Sequence, residues 1–191
     1  LGDVYKRQME YMEEMTKAFQ YEKKLSEYCI SHGTSKVSCV IAAGEEVLSG
    51  YTFPIVPYLI FEMATGDIRQ KLQYSNALDF AWKLKSLHDI AVGIKQLHSI
   101  NVSHQDIKPS NVLLFNTESK IGDLGRSMCP TLHGPYDEMP FSGDNTYAPP
   151  EVWFNSHIHL EWHERNYAID CYLLGSLITY YITCLLYTSP S

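Results

Sequence analysis

The sequence predicts an α+β fold, and three patterns along its 191 residues support that prediction. Residues 10–30 carry apolar side chains at near-helical spacing between Glu and Lys residues, which is typical of an amphipathic helix. Residues 36–44 and 57–63 are rich in β-branched and other apolar residues, which favours strands. Residues 82–100 repeat apolar side chains every three or four positions and predict a second, longer helix.

The bulk composition is that of a globular protein, with 45% hydrophobic and 19% charged residues. The chain is long enough for one domain with a sizeable core or for two small lobes. A net charge of −7 argues against nucleic acid as the main partner, because phosphate binding relies on clustered Lys and Arg. The five cysteines are scattered without a CxxC pair, which favours a reducing, cytoplasmic setting over a zinc site.

The limits of the predicted elements are visible in the sequence. The first helix is expected to end near Ser31 to Gly33, and a loop with Gly50 and Pro54 separates the two strands. After the second helix we expect a loop, a strand at 111–115, a turn at 116–119 and a short strand at 120–124. The second helix is expected to bury one face, formed by Leu84, Leu87, Ile90, Ala91, Ile94, Leu97 and His98.

The last third of the chain combines a long loop with an uncharged helix. Residues 125–150 hold five of the nine prolines, which predicts an irregular segment that is functional or mobile. No residue from Cys171 to the end is charged, but the apolar run is short for a membrane span and is interrupted by Gly175 and Ser176. We therefore expect a helix at 168–182 that is buried on all sides, and no membrane span.

The segment SHQDIKPSNVLLF (residues 103–115) places an acid, a cation and an amide in one loop before an apolar strand. Asp106, at the mouth of this loop, could orient a hydroxyl group and accept its proton. Lys108 could neutralise charge that develops on a transferred phosphoryl group. Asn111 and Asp123 offer an amide oxygen and a carboxylate, and oxygen ligands of this kind suit Mg²⁺.

Four motifs, in this order, resemble those of the protein kinase superfamily. HQDIKPSNVLL at 104–114 resembles the catalytic loop H-R-D-x-K-x-x-N, and GDLG at 122–125 resembles the D-F-G metal-binding turn. YAPPE at 147–151 resembles the A-P-E end of the activation segment, and DCYLLG at 170–175 resembles the start of the central helix. The resemblance implies a partial protein-kinase-like two-lobe fold of the α+β class, with the end of the small lobe and the first half of the helical large lobe.

Carried over residue by residue, the resemblance implies a catalytic base at Asp106 and a lysine that touches the γ-phosphate of ATP at Lys108. Lysine at that place is also the mark of kinases that act on Ser or Thr. Asn111 and Asp123 would be the Mg²⁺ ligands, although Asp123 before Gly125 could also be an ordinary turn residue. Structural or regulatory roles fall on His104, which would brace the loop, and on Gly125, Asp144, Glu151 and Asp170, the last holding the catalytic-loop backbone.

The stretch LIFEMATGD at 59–67 resembles the hinge that binds adenine. Phe61 would be the gatekeeper, and Asp67 would either contact the ribose or cap the following helix. Glu22 would pair with the ATP-binding lysine, or would be an ordinary exposed helix residue. The residues that the resemblance implies in ATP binding are Phe61, Glu62, Ala64, Asp67, Leu113 and Glu22.

Several positions depart from the family pattern. Gln105 replaces the catalytic-loop arginine, so the usual pairing of that arginine with a phosphorylated activation loop cannot form. Asp144 stands near a position that is usually Thr, and it could pair with Lys108. Ser26 falls where the regulatory helix usually contributes an apolar side chain. A buried Glu151 would lack the arginine that normally pairs with it.

The two ends, LGDVYKRQ and CLLYTSPS, resemble translated sequencing adaptors, and we leave residues 1–8 and 184–191 out of the predicted fold. The rest divides into a partial small lobe at 9–63 and a partial large lobe at 64–183. No G-x-G-x-x-G precedes the hinge, and Lys6, sixteen residues before Glu22 (22 − 6), lies inside the first excluded segment. We therefore expect the chain as given to be inactive by itself.

The sequence thus predicts a fragment of an ATP-dependent protein kinase that uses Mg²⁺ and phosphorylates Ser or Thr of a protein substrate. One alternative is a pseudokinase scaffold, to which Gln105 and Asp144 lend some weight. Another is a small-molecule phosphotransferase of kinase-like fold, although Lys108 and the YAPPE segment argue against it. A metal site at His159 and His163 is not expected, because no H-E-x-x-H motif is present.

Overall fold

The computed structural model describes residues 2–50, 55–74, 79–154, 156 and 159–184. The helices are α1 (Gly2–Ser31), α2 (Ile68–Tyr74), α3 (Phe80–Ser99), α4 (Pro150–Trp153) and α5 (Trp162–Thr183). The strands are β1 (Val40–Val47), β2 (Ile55–Phe61), β3 (Gly66–Asp67), β4 (Val112–Leu114) and β5 (Ser119–Ile121). Single 3₁₀ turns lie at Pro109–Asn111, Leu124–Arg126 and Asn145–Tyr147. The mixture of helices and small sheets confirms the predicted α+β class.

The strands form two antiparallel sheets. β1 pairs with β2, and β4 lies between β3 and β5 in the second sheet. β1 begins at Val40, later than predicted, because the residues before it bond to the other sheet. Val37 forms a parallel bridge with Ile121, and the Ser38 N–H donates to the Ile121 carbonyl oxygen at 2.8 Å. The segment before β1 therefore ties the two sheets together.

Helix α1 buries Tyr21, Leu25 and Cys29, which are spaced by four residues and form one stripe. The helix begins at Gly2 and includes residues that the sequence interpretation had set aside. Lys6 and Glu22 lie on this one helix, about 24 Å apart along its axis at 1.5 Å per residue. Lys6 therefore cannot form an ion pair with Glu22.

Helix α3 was predicted correctly, but its buried face was not. Leu84 and Ala91 are exposed, whereas Ser86, Asp89 and Gly93 are buried beside the expected apolar residues. The search for apolar periodicity missed these three residues because they are polar or glycine, although they lie on the side of the helix that packs against the second sheet. A Cβ atom at Gly93 would lie only 2.6 Å from the carbonyl oxygen of Lys36, so the close approach of helix and chain requires glycine.

Helix α5 begins at Trp162, earlier than predicted, and only one of its faces is buried. Ile169, Leu173 and Leu177 are buried, but Cys171 and Ile182 are exposed. The expected burial on all sides was therefore wrong, because neighbouring elements cover one side of this helix within the described residues. No helix in the described part of the chain combines the length and apolar character needed to cross a membrane.

Candidate active site

The loop at residues 103–111 is fastened to α5 through the carboxylate of Asp170. This side chain is fully buried and accepts four hydrogen bonds. Oδ2 accepts hydrogen bonds from His98 Nε2 at 2.8 Å, from the Ser103 hydroxyl at 2.9 Å and from the His104 N–H at 2.8 Å. Oδ1 receives the Gln105 N–H at 2.8 Å. Because two successive backbone N–H groups bind one rigid carboxylate, the course of the loop just before Asp106 is fixed by α5.

Gln105 turns its side chain into the base of the loop. It is fully buried, and its backbone has the left-handed φ of 67°, a conformation that costs a non-glycine residue on the order of 1 kcal/mol or more. Its amide Nε2 donates to the Ser103 hydroxyl at 2.7 Å and to Asn166 Oδ1 at 3.2 Å. The side chain therefore contacts α5, and no described residue between 124 and 151 forms a hydrogen bond with it.

Asp106 is the centre of a polar cluster at the mouth of the loop. It is 5% exposed, and its Oδ2 lies 2.8 Å from Lys108 Nζ and 3.0 Å from Asn111 Nδ2. Asn111 Nδ2 also donates to the backbone oxygen of Asp106 at 2.9 Å. The backbone N–H of Asp144 donates to Asp106 Oδ1 at 3.2 Å. The structure thus brings Asp106, Lys108, Asn111 and Asp144 into direct contact.

Asp144 lies on the outer side of this cluster. Its carboxylate is 3.9 Å from Lys108 Nζ, so Lys108 lies between two acids and is closer to Asp106. Hydrogen bonds from the Thr146 hydroxyl and backbone N–H lower the pKa of Asp144, and the charges of Lys108 and Arg126 lower it further. The pairing of Asp144 with Lys108 that the sequence suggested is therefore present, as a long ion pair.

His104 links the loop to the turn that carries Asp123. Its Nε2 lies 2.9 Å from the Gly122 carbonyl oxygen, and the Asp106 N–H donates to its Nδ1 at 3.3 Å. With Nδ1 as acceptor, the hydrogen is on Nε2, and the ring is a neutral donor to Gly122. The Gly122 N–H in turn donates to the Asn111 carbonyl oxygen at 2.8 Å. The backbone of Gly122, directly before Asp123, is therefore bonded to both His104 and Asn111.

The carboxylates of Asp123 and Glu22 line one cavity of about 440 Å³ between α1, β2 and the turn. Asp123 is exposed and has a left-handed φ of 64°. Burial, followed by the nearby charge of Asp123, raises the pKa of Glu22 to about 7. A Cβ atom on Gly125 would lie 3.3 Å from Asp123 Oδ1 and 3.4 Å from Glu22 Oε2. Gly125 therefore leaves room for both acids.

The part of the chain that the structure describes holds no cluster of three or more His, Cys, Asp or Glu suited to a metal ion. Asn111 and Asp123 carry oxygen donors of the types that Mg²⁺ accepts, and the hydrogen bond from the Gly122 N–H to the Asn111 carbonyl oxygen joins the backbone beside Asp123 to Asn111. Asn111 Nδ2 binds Asp106, and the Asn111 amide oxygen accepts the Ser110 hydroxyl at 3.3 Å. An amide oxygen has two lone pairs, so this oxygen keeps one for a cation.

The segment predicted as a hinge connects the two sheets. Phe61 ends β2 and is exposed, and Glu62 forms an ion pair with Lys120 at 2.9 Å. Ala64 is partly buried in the connection to β3. Asp67 Oδ1 accepts the Gln70 N–H at 2.9 Å, so this carboxylate caps α2 with one of its oxygens.

Two further predicted positions lie beside these elements. Leu113 is paired with Asp67 across the second sheet and packs against Gly122, where a Cβ atom would meet its Cδ1 at 2.7 Å. Glu151, in the first turn of α4, is only partly buried, so the expected cost of a fully buried, unpaired charge does not apply in that form.

The sequence interpretation missed two polar residues that complete this site. His98 was placed on the apolar face of α3, yet it binds Asp170, and its ring stacks on Tyr167 at 3.9 Å between centroids. Asn166 was not singled out, yet it is fully buried and accepts from Gln105. The position of Asn166 four residues before Asp170, one helical turn away, was the available indication.

Comparison with known proteins gives a consistent picture. A family model described as the protein kinase domain matches residues 9–188. Mitogen-activated protein kinase 5 of Arabidopsis thaliana is 31% identical over 127 residues, which cover 66% of this chain and 32% of that protein. An Aurora kinase of Debaryomyces hansenii is 28% identical over 122 residues, covering 63% of this chain and 28% of that protein. Serine/threonine-protein kinase DCLK1 of Rattus norvegicus is 28% identical over 137 residues, with 69% and 29% coverage. The chain therefore spans about a third or less of the length of these relatives.

Proposed function

Because the chain belongs to the protein kinase domain family, as its motifs predicted, we propose that the full-length protein transfers the γ-phosphoryl group of ATP to Ser or Thr of protein substrates. The contact of Lys108 and Asn111 with the carboxylate of Asp106 carries this proposal. Lysine at position 108 and a relative that is named a serine/threonine-protein kinase support the choice of acceptor. We also propose a reducing, cytoplasmic location, since all five cysteines are free.

Asp106 would act on the acceptor hydroxyl. Its carboxylate is nearly buried and is held from three sides, by Lys108, by Asn111 and by the Asp144 N–H. A carboxylate fixed in this way could orient a serine or threonine hydroxyl and accept its proton as the new bond to phosphorus forms. Lys108, which is 21% exposed in its side chain, could offset negative charge on the transferred group.

Asn111 and Asp123 would hold Mg²⁺, since their oxygens suit this ion and the Asn111 amide oxygen, which accepts the Ser110 hydroxyl, keeps a second lone pair. A bound Mg²⁺ would supply positive charge beside the transferred phosphate. The adenine would lie between the segment at 61–64 and Leu113, at the junction of the predicted small lobe and the predicted large lobe. Asp67 has one oxygen bonded to Gln70 N–H, so its second oxygen could reach a ribose hydroxyl.

We propose that the 191-residue chain by itself does not catalyse phosphoryl transfer. Glu22 faces the same cavity as Asp123, but no lysine or arginine among the described residues forms an ion pair with it. A catalytically silent scaffold is a second candidate, which the burial of Gln105 and the sharing of Lys108 with Asp144 favour.

The test is Asp106→Asn in the full-length protein. We expect Ser and Thr phosphorylation of a protein substrate to fall by about 10² to 10⁴-fold, the usual contribution of a positioned general base, while ATP binding is kept. The control is Asp137→Asn, an exposed carboxylate near His133 that should leave turnover unchanged. Undiminished turnover in Asp106→Asn would refute the assignment. An unmodified protein that never transfers phosphate would favour the scaffold, and phosphate on small alcohols alone would favour a small-molecule phosphotransferase.

A further inference from the structure

Two cysteines from different elements meet where α1 approaches β1. Cys29 lies in the last turns of α1 and is fully buried, and Cys39 directly precedes β1 and packs against the same core. Ser26, one helical turn before Cys29, accepts the Val40 N–H on its Oγ at 2.5 Å. This hydrogen bond holds the residues around Cys39 against the face of α1 that carries Cys29.

The surroundings of the two sulfur atoms differ. Thr34 Oγ1 lies 3.9 Å from Cys39 Sγ and 3.1 Å from the backbone oxygen of Cys29. The neighbouring Cys29 thiol, then the hydroxyls of Thr34 and Ser26 and the charge of Lys120, lower the pKa of Cys39 despite its partial burial. The neighbouring Cys39 thiol and full burial raise the pKa of Cys29. Cys39 is therefore the better nucleophile of the pair, and Cys29 is a protonated neighbour.

We propose that Cys39 is a site of oxidation by hydroperoxides and that Cys29 converts the oxidised Cys39 to a Cys29–Cys39 disulfide. This inference does not depend on the proposed kinase activity. It rests on two cysteines that both lie next to the Thr34 hydroxyl, Cys39 partly accessible and Cys29 buried, on two elements that the Ser26–Val40 hydrogen bond holds together.

The chemistry proceeds in two steps. The Cys39 thiolate attacks one oxygen of the hydroperoxide, an S–O bond forms, the O–O bond breaks, and the departing oxygen takes a proton as alcohol or water. The Cys29 sulfur then attacks the Cys39 sulfur, an S–S bond forms and the S–O bond breaks. The hydroxide leaves with the Cys29 proton as water. Two thiols are oxidised by two electrons, and one hydroperoxide is reduced.

The disulfide would fasten the end of α1 to the start of β1. It would close a loop of eleven residues (39 − 29 + 1), and Glu22 lies on the same helix seven residues before Cys29 (29 − 22). Oxidation would therefore limit movement of the helix that carries Glu22 relative to the first sheet. The consequence is a redox-dependent restraint on that helix.

One experiment follows the crosslink in a chain with Cys171→Ser and Cys184→Ser, which removes two exposed thiols that could join separate molecules. After hydrogen peroxide, thiols titrated in denaturant should fall from three to one, and mass spectrometry should find peptides joined through Cys29 and Cys39. Adding Cys129→Ser should leave the crosslink intact. Adding Cys29→Ser should stop the reaction at a Cys39 sulfenic acid, which a cyclic 1,3-diketone would trap. Absence of the joined peptide, or a crosslink through Cys129, would overturn the proposal.

A second experiment uses the unaltered sequence, so no variant has to fold. Iodoacetamide should label Cys39 faster than Cys171, although Cys171 is more exposed, because burial and Asp170 raise the pKa of Cys171. For a thiol above neutral pKa, each lowering of the pKa by one raises the thiolate fraction about tenfold and cuts nucleophilicity about threefold, a net gain of about threefold. In guanidinium chloride the preference should disappear. Equal labelling of the two cysteines in the folded chain would contradict the assigned reactivity of Cys39.

Discussion

Replacement of Asp170 by Asn tests how the loop before Asp106 is held. The carboxylate of Asp170 is fully buried and accepts from His98, Ser103, His104 and Gln105. Asparagine has one oxygen where aspartate has two. With that oxygen in the place of Oδ2 it keeps the bonds from His98, Ser103 and His104, and its amide nitrogen then faces the Gln105 N–H.

The expected cost follows from these contacts. A hydrogen bond to a charged group contributes about 1.5–3 kcal/mol, and a buried donor left without an acceptor costs about 1–3 kcal/mol. The three remaining bonds lose the charge of their acceptor, and the buried Gln105 N–H faces another donor without an acceptor. We therefore expect Asp170→Asn to lower the free energy of unfolding by about 3–5 kcal/mol, a large part of the stability of an ordinary domain.

The assay is unfolding of the chain in urea, followed by the fluorescence of its three tryptophans, Trp82 on α3, Trp153 on α4 and Trp162 on α5. The matched control is Asp79→Asn, because Asp79 caps α3 by accepting the Ala81 N–H and asparagine caps as well as aspartate. The control should stay within about 0.5 kcal/mol of the unmodified chain. A similarly small effect of Asp170→Asn would refute the inference that α5 fixes the loop.

Two further predictions concern α3. Gly93→Ala should destabilise the chain by about 1–3 kcal/mol, because its Cβ would meet the Lys36 carbonyl oxygen at 2.6 Å. Gly175→Ala in α5 meets open space and should stabilise by about 0.5–1 kcal/mol; equal effects in thermal unfolding would show that the tight contact is absent. Asp89→Asn should cost about 1–3 kcal/mol at neutral pH, because Asp89 binds Lys36 and Lys85, both at 3.0 Å. Although burial opposes it, the Ser119 N–H and the two lysines lower the pKa of Asp89, so its contribution is present at neutral pH and lost as pH falls through that lowered pKa. In urea unfolding, the difference in the free energy of unfolding between the unmodified chain and Asp89→Asn should therefore be smaller at strongly acid pH than at neutral pH. An equal difference at both pH values would contradict the ion pairs.

The sequence predicted the elements that depend on local patterns. Helix α3 follows from apolar spacing and α5 from an uncharged apolar run, and Asp106, Lys108 and Asn111 could be grouped because one short loop carries all three. What it could not predict were contacts between distant positions. The His98–Asp170 contact joins residues 72 positions apart, and neither residue shows from its neighbours that the other is its partner.

Buried polar residues were the second source of error. Ser26 looked like a defect in an apolar stripe, but its hydroxyl accepts the Val40 N–H, a role that only the packing of α1 on β1 makes visible. Asp89 and Ser86 belong to the buried face of α3 for the same reason, since they bond to Ser119 on β5. Hydrophobic periodicity cannot find such positions, because their burial depends on hydrogen-bond partners rather than on apolar character.

The measurement that tests the central claim most directly is the position of the metal in the full-length protein, crystallised with Mn²⁺ and a non-hydrolysable ATP analogue. We predict an anomalous peak bonded to the Asn111 amide oxygen and to the Asp123 carboxylate, with the terminal phosphate beside Asp106 and Lys108. The Asp123→Asn variant should weaken that peak. A nucleotide and metal bound elsewhere, with the side chains of Asp106, Asn111 and Asp123 in separate regions, would contradict the proposed function.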